Sequence, residues 1–130
     1  MRYAPTNRRR AYAIRPTPNT VAMFGSLTYI IWLGLFIGLP LLALALAARR
    51  ALWRRRRALA WVLLGALAGG WAWDVLAVRL GAWYYDPRNI LGWWIGGLPV
   101  EEWIWIAGVT LLFGCVTVVL AEQRTKNKEQ

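Results

Sequence analysis

The central stretch of the chain is Trp71–Trp105, with the sequence WAWDVLAVRLGAWYYDPRNILGWWIGGLPVEEWIW. It contains seven of the ten tryptophans of the chain. Its acidic residues Asp74, Asp86, Glu101 and Glu102 stand beside long apolar runs. Because a carboxylate is costly to bury in an apolar environment, these residues require either a partner or a function.

Three apolar segments surround and include this stretch. Val21–Ala48 comprises 28 residues without a charged side chain, and at about 1.5 Å per residue this exceeds a hydrocarbon core of about 30 Å. Ala58–Leu80 and Leu98–Ala121 are also long enough to span, and each contains acidic residues. We therefore predict an all-α membrane protein with three transmembrane helices, which form one domain over residues 21–121.

The charges lie mainly outside these spans. The chain of 130 residues has a net charge of +10, and its arginines stand in short blocks that flank the apolar segments. Such blocks are typical of topology signals and contacts with lipid headgroups, so we expect a lipid bilayer and not nucleic acid as the partner. The positive-inside rule places the arginine-rich segment Arg49–Arg57, predicted as a short loop, in the cytoplasm and the protein in the cell membrane.

The two ends of the chain are predicted to lie outside the membrane domain. Residues 1–20 are expected to form a disordered basic tail, and residues 122–130 a polar C-terminal tail. A start of translation at Met23 is an alternative that the sequence leaves open. Within the first span, Pro40 predicts a bend of the helix axis.

Glycine pairs with small-xxx-small spacing, Gly34/Gly38 and Gly65/Gly69, are candidate helix contacts. Histidine is absent and Cys115 is the single cysteine, which is expected to pack as a small apolar side chain. These residues predict no metal ion, no disulfide and no cofactor.

The acidic residues are predicted to lie at similar depth on one side of the bilayer. Pro99 is suited to the first turn of the third helix, where the helix dipole favours negative charge at Glu101 and Glu102. Counting at about 1.5 Å per residue puts this pair about 5 Å inside the span, and Asp74 about 9 Å below the same surface. An ordinary helix start for the glutamates, and an ion pair of Asp74 with a nearby arginine, remain alternatives.

Aromatic residues accompany these acids. Trp71 lies one turn before Asp74, and Trp105 lies one turn after Glu101. The loop Gly81–Gly97 adds further aromatic residues, namely Trp83, Tyr84, Tyr85, Trp93 and Trp94. An interfacial belt is the default explanation for Trp and Tyr at a membrane boundary. The second interpretation is chemical, because a carboxylic acid that protonates an alkene creates a carbocation, which indole and phenol faces stabilise.

The same residues resemble a known family. Asp74, the pair Trp83-Tyr84, Gly92 and the sequence Leu98-Pro99-Val100-Glu101-Glu102 are similar to the pattern of the small membrane lycopene cyclases of bacteria and archaea. The resemblance covers about residues 27–113. Members of this family are built from three-helix halves, either as two subunits or fused in one chain, and each half carries Pro-x-Glu-Glu. The family has phenylalanines after the glutamates, where this chain has tryptophans.

The resemblance implies a subunit of a carotenoid cyclase that closes the linear end group of lycopene to a ring, in carotenoid biosynthesis. It implies half of a six-helix bundle, and therefore a heterodimer with a paralogous three-helix subunit and a carotenoid substrate that enters from lipid. Glu101 and Glu102 become the candidate acid and base, and Asp74 shapes or polarises the site. The expected substrate-binding residues are Trp71, Trp83, Tyr84, Tyr85, Trp93, Trp94, Pro99 and Trp105. The ring type and the substrate length stay open.

The paired glutamates are also compatible with a function other than cyclisation. The alternative is a non-catalytic small membrane subunit that assembles or stabilises a complex, in which the glutamates only open a helix. Paired glutamates also occur in membrane prenyl-protein endopeptidases, whose motif is Glu-Glu-x-x-x-Arg followed by histidines. Here Ile106 stands in place of that arginine and histidine is absent, which excludes the motif.

Overall fold

Three long apolar helices dominate the structure, a computed structural model that describes residues 25–128. The spans run over Gly25–Ala47, Arg56–Arg79 and Val100–Lys128, and each is long and apolar enough to cross a membrane. The predicted all-α membrane protein with three transmembrane helices is confirmed. The predicted disordered tail, residues 1–20, and the alternative start at Met23 lie outside the described residues.

The first span consists of several helical segments. A 3-10 turn, Gly25–Leu27, leads into α1 (Thr28–Leu33), which is followed by a π-helical segment (Gly34–Gly38) and by α2 (Leu39–Ala47). Pro40 lies at the start of α2 and has no N–H to donate to the preceding turn. The wider hydrogen-bonding pattern of a π-helix accommodates such a gap. The irregular turn lies directly before α2, and the bend of the helix axis at Pro40 stays a prediction.

The arginine-rich segment is helical and not a loop, which corrects the prediction. Helix α3 (Arg49–Arg54) follows Ala48, and α4 (Arg56–Arg79) begins directly after Arg55. The segment contains Ala, Leu, Trp and Arg without glycine or proline, so that nothing in it disfavours a helix. Arg54 pairs with Glu122 of the third span.

The connection between the second and third spans ends in a short hairpin. Strand β1 (Trp94–Ile95) pairs in antiparallel orientation with β2 (Leu98–Pro99). Gly96 and Gly97 form its turn with φ angles of +58° and +87°, which only glycine adopts readily. Leu98 and Pro99, predicted to open the third helix, therefore belong to a strand.

Helix α5 (Val100–Lys128) follows the hairpin without a linker. It continues through the polar residues 122–128, which were expected to form a tail. Helices α4 and α5 make the most extensive contact between two elements of the bundle, and the first span packs mainly on α5. Helix α5 is therefore the element that connects the bundle.

Close helix contacts occur at glycines other than the predicted pairs. A β-carbon on Gly70 would lie 3.1 Å from Ile106, and one on Gly108 would lie 2.7 Å from Ile37. A β-carbon on Gly65 or Gly69 would meet nothing within 4 Å. The spacing motif alone does not distinguish glycines inside this bundle from those on its outer surface.

Gly108→Ala is expected to destabilise the protein, because its β-carbon would clash with the branched side chain of Ile37. Overpacking of this kind lowers the free energy of unfolding by about 1–3 kcal/mol. Gly65→Ala is the matched control, since the added methyl group has free space and helix propensity improves by about 0.5–1 kcal/mol. Thermal unfolding in detergent micelles compares the two variants, and equal melting temperatures would contradict this packing.

Candidate active site

A cavity of about 640 Å³ lies between the three spans and the loop that joins the second to the third. Two of its lining residues are acidic, Asp74 from α4 and Glu102 from α5. The other lining residues are aromatic, small or apolar: Tyr29, Ala66, Gly70, Trp73, Trp83, Tyr84, Tyr85, Trp105, Ile106, Val109 and Thr110. The cavity is therefore a mostly apolar and aromatic space with two carboxyl groups in its wall.

Both acids of the cavity wall are buried. Asp74 is 5% exposed and Glu102 is 8% exposed. The Tyr29 hydroxyl donates a hydrogen bond to Oε2 of Glu102 over 3.2 Å. Asp74 makes no ion pair within residues 25–128, and Arg88 pairs with Asp86 instead. The alternative in which an arginine neutralises Asp74 finds no support in this part of the chain.

Glu101 points away from this cavity, although it adjoins Glu102 in sequence. Its side chain is fully buried, and its Oε1 accepts a hydrogen bond from the Leu91 backbone N–H over 2.5 Å. The other oxygen, Oε2, has no partner among the described residues. Consecutive residues of an α-helix are about 100° apart, so the two glutamates face different surroundings. Glu101 holds the loop, whereas Glu102 faces the cavity.

The loop is also fastened to the second and third spans by tryptophans. Trp71 donates its indole N–H to the Gly96 carbonyl over 2.9 Å, and Trp103 donates to the Ile95 carbonyl over 3.0 Å. Trp71, predicted to bind substrate, therefore contacts the hairpin and is absent from the cavity wall. These bonds fix the loop that places Tyr84 and Tyr85 at the cavity.

Tyr85 provides a neutral hydroxyl group beside Glu102. Its hydroxyl is buried without a hydrogen-bond partner among residues 25–128. Burial, with the nearby charge of Glu102, raises the pKa of Tyr85 to about 12, so the phenol stays protonated near neutral pH. Its ring meets Trp94 edge-on, with the ring centres 6.0 Å apart. Trp94 thus supports a lining residue without lining the cavity itself.

The fourth acid of the Trp71–Trp105 stretch has a local role. Asp86 accepts hydrogen bonds from the side chain and the backbone N–H of Arg88, and these hold its pKa at about 2. The pair lies on the surface of the loop. Asp86 is therefore ionised near neutral pH, and its hydrogen bond from the Arg88 N–H closes a turn of the loop. Asp86 does not line the cavity.

Six of the predicted site residues line the cavity together: Asp74, Glu102, Trp83, Tyr84, Tyr85 and Trp105. Five do not: Glu101, Trp71, Trp93, Trp94 and Pro99. Tyr29 and Trp73 line it and were not predicted. Trp73 adjoins Asp74 and could have been included for that reason. Tyr29 had no such signal, because a tyrosine near the end of a span is also typical of an interfacial belt.

Within residues 25–128, no three His, Cys, Asp or Glu side chains come together in a way that could bind a metal ion. Cys115 is buried in α5, as a small apolar residue would be.

The chain that forms this cavity matches a known protein family over most of its length. The family model described as lycopene cyclase matches residues 26–120, which include the second span, the loop and most of the first and third spans. The chain belongs to the lycopene cyclase family. The cavity and both of its acids lie within the part that matches the lycopene cyclase model, and the resemblance seen in the sequence is confirmed.

Two curated members of the lycopene cyclase family are also similar to the chain. They are lycopene beta-cyclases from two strains of Halobacterium salinarum, each 33% identical over 91 residues. The aligned region covers 67% of this chain and 38% of each relative. The chain therefore spans well under half the length of these relatives. No solved structure gives a significant match.

Proposed function

We propose that the chain is a subunit of a carotenoid cyclase, which protonates the linear end group of lycopene and closes it to an ionone-type ring. The observation that carries this proposal is the pair Asp74 and Glu102, buried in one aromatic cavity of a membrane protein of the lycopene cyclase family. A hydrocarbon substrate dissolves in the bilayer and reaches such a cavity from lipid. The reaction would serve carotenoid biosynthesis.

The reaction is an isomerisation in which a carboxyl group supplies a proton and a carboxylate removes one. The acid donates its proton to the terminal double bond, which leaves a carbocation on the neighbouring carbon. The electrons of a second double bond form the new ring bond and move the positive charge into the ring. A carboxylate then takes a proton from an adjacent carbon and restores a double bond. The atoms and electrons balance without an oxidant, a reductant or a leaving group.

Asp74 and Glu102 are the residues that we place in this proton transfer, since both line the cavity. The faces of Trp73, Trp83 and Trp105 surround the same space and would stabilise the cation by cation–π interaction. Glu101 would act on the loop through Leu91 and not on the substrate.

A second subunit is part of the proposal. The aligned region covers 38% of each relative, so most of each relative lies outside the match. We propose a paralogous three-helix subunit that completes a six-helix bundle and closes the open side of the cavity. The assembly would lie in the cell membrane with Arg49–Arg57 in the cytoplasm, as the positive-inside rule favours.

The proposed function is tested in bacterial cells that accumulate lycopene. This chain is expressed together with its paralogous subunit, and the pigments are separated by chromatography. The proposal expects lycopene to be replaced by products with ring end groups, whose absorption spectra also identify the ring type. Unchanged lycopene, with both proteins present in the membrane fraction, would contradict it.

A further inference from the structure

Tyr29 lies far in sequence from the acids of the cavity, yet its side chain reaches one of them. Its hydroxyl donates to Oε2 of Glu102 over 3.2 Å, across a sequence separation of 73 residues. It is the one residue of the first span that lines the cavity. Hydrogen bonds to a charged acceptor are stronger than those between neutral groups, so this contact can hold a carboxyl group in place.

The backbone around Tyr29 is itself fixed. The Tyr29 N–H donates to the Asn89 carbonyl of the loop over 3.4 Å. The first turn of α1 is therefore attached to the loop. The position of the Tyr29 hydroxyl follows from this attachment and from the packing of the first span on α5.

The contact distinguishes the two oxygens of Glu102. Oε2 accepts from Tyr29, whereas Oε1 makes no hydrogen bond to the described residues and is not among their fully buried, unpartnered atoms. Tyr29 thus holds one oxygen, whereas the other keeps exposed surface on a residue that lines the cavity. Without the Tyr29 hydroxyl, the carboxyl group would be free to rotate about its last side-chain bond.

We propose that Tyr29 is a positioning residue for Glu102, which holds Oε2 so that Oε1 faces the end group of the substrate. This inference rests on the proposed cyclase function. Tyr29 exchanges no proton with the substrate; it acts through the orientation of Glu102. The first span thereby contributes to the chemistry as well as to the bundle.

Tyr29→Phe tests this role, in proteoliposomes that contain the chain, its paralogous subunit and lycopene. The phenyl ring remains in the cavity wall, so KM for lycopene is expected to stay the same. Loss of a hydrogen bond of this kind is expected to lower kcat by about ten-fold. The infrared band of the Glu102 carboxyl group, identified as the band that Glu102→Gln removes, is expected to shift in Tyr29→Phe.

Thr28→Val is the matched control, because it removes a hydroxyl group from the same helical turn without touching Glu102. It should leave the infrared band in place and kcat within about two-fold. A normal kcat in Tyr29→Phe, or a lower kcat with an unmoved band, would overturn the positioning role. An equal loss in Thr28→Val would do the same, since it would indicate a general structural effect.

The wild-type assembly separates failure of this inference from failure of the proposed function. Lycopene turnover by the wild type with an unmoved band in Tyr29→Phe overturns only the role of Tyr29. Absence of turnover by the wild type overturns the cyclase function, and the positioning role with it.

Discussion

Glu102→Gln is expected to lower the rate of ring formation by about 10²–10⁴-fold, the usual contribution of a general acid or base. An amide keeps the shape of the side chain, but it neither donates nor accepts the proton that the reaction transfers. The hydrogen bond from the Tyr29 hydroxyl can still be made to the amide oxygen. Pigment chromatography in lycopene-producing cells measures the loss, and the amount of protein in the membrane fraction shows that insertion is unchanged.

Glu101→Gln is the matched control for this prediction, since it makes the same chemical change at the neighbouring residue. Its amide oxygen can accept the hydrogen bond from the Leu91 N–H, so the loop should keep its position. We expect ring formation to fall by no more than about ten-fold. Wild-type conversion by Glu102→Gln would remove Glu102 from the chemistry and favour the non-catalytic subunit. Equal losses in both variants would contradict the separate roles of the two glutamates.

The chain expressed without its paralogous subunit is expected to leave lycopene uncyclised. Three helices scarcely enclose a forty-carbon polyene, and the cavity is open at its side. The first span also exposes Trp32, Leu35 and Phe36, an apolar surface that a second subunit would cover in the proposed assembly. A second three-helix half would exclude lipid and water from the cation, which is the condition for controlled ring closure.

The dependence on a partner is measured by expressing each subunit alone and both together at matched levels. Both together should convert lycopene, and copurification in mild detergent should recover the two chains as one complex. The Glu102→Gln chain with a wild-type partner serves as the control, because it should form the complex without restoring conversion. Full conversion by this chain alone would contradict the proposed heterodimer.

The spans could be predicted from the sequence because hydropathy and length suffice to identify them. Details that depend on the packing of side chains could not be predicted from the sequence. Nothing in the spacing of glycines indicates that Gly108 meets Ile37, or that Gly65 meets no other helix. The order Leu98-Pro99 before two glutamates is typical of a helix start, yet Gly96 and Gly97 turn the chain so that both residues pair with β1.

Only part of the candidate site could be predicted from the sequence, because the rest depends on packing. Asp74, Glu102 and the aromatic residues of the loop could be grouped, because one short connection joins their helices. Glu101 and Glu102 face different surroundings because of the way α5 is rotated about its axis. The sequence does not define this rotation, since it depends on the elements that pack against α5. Tyr29 was missed because its contact joins segments 73 residues apart.

Cyclisation in D₂O tests whether a carboxyl proton starts ring closure. Carboxyl protons exchange with solvent, so the acid delivers deuterium when the assembly is equilibrated in D₂O. We expect mass spectrometry to find one deuterium in the product for each ring formed, since one deuteron is added and one proton is lost from carbon. Ring-containing products without deuterium would contradict this expectation.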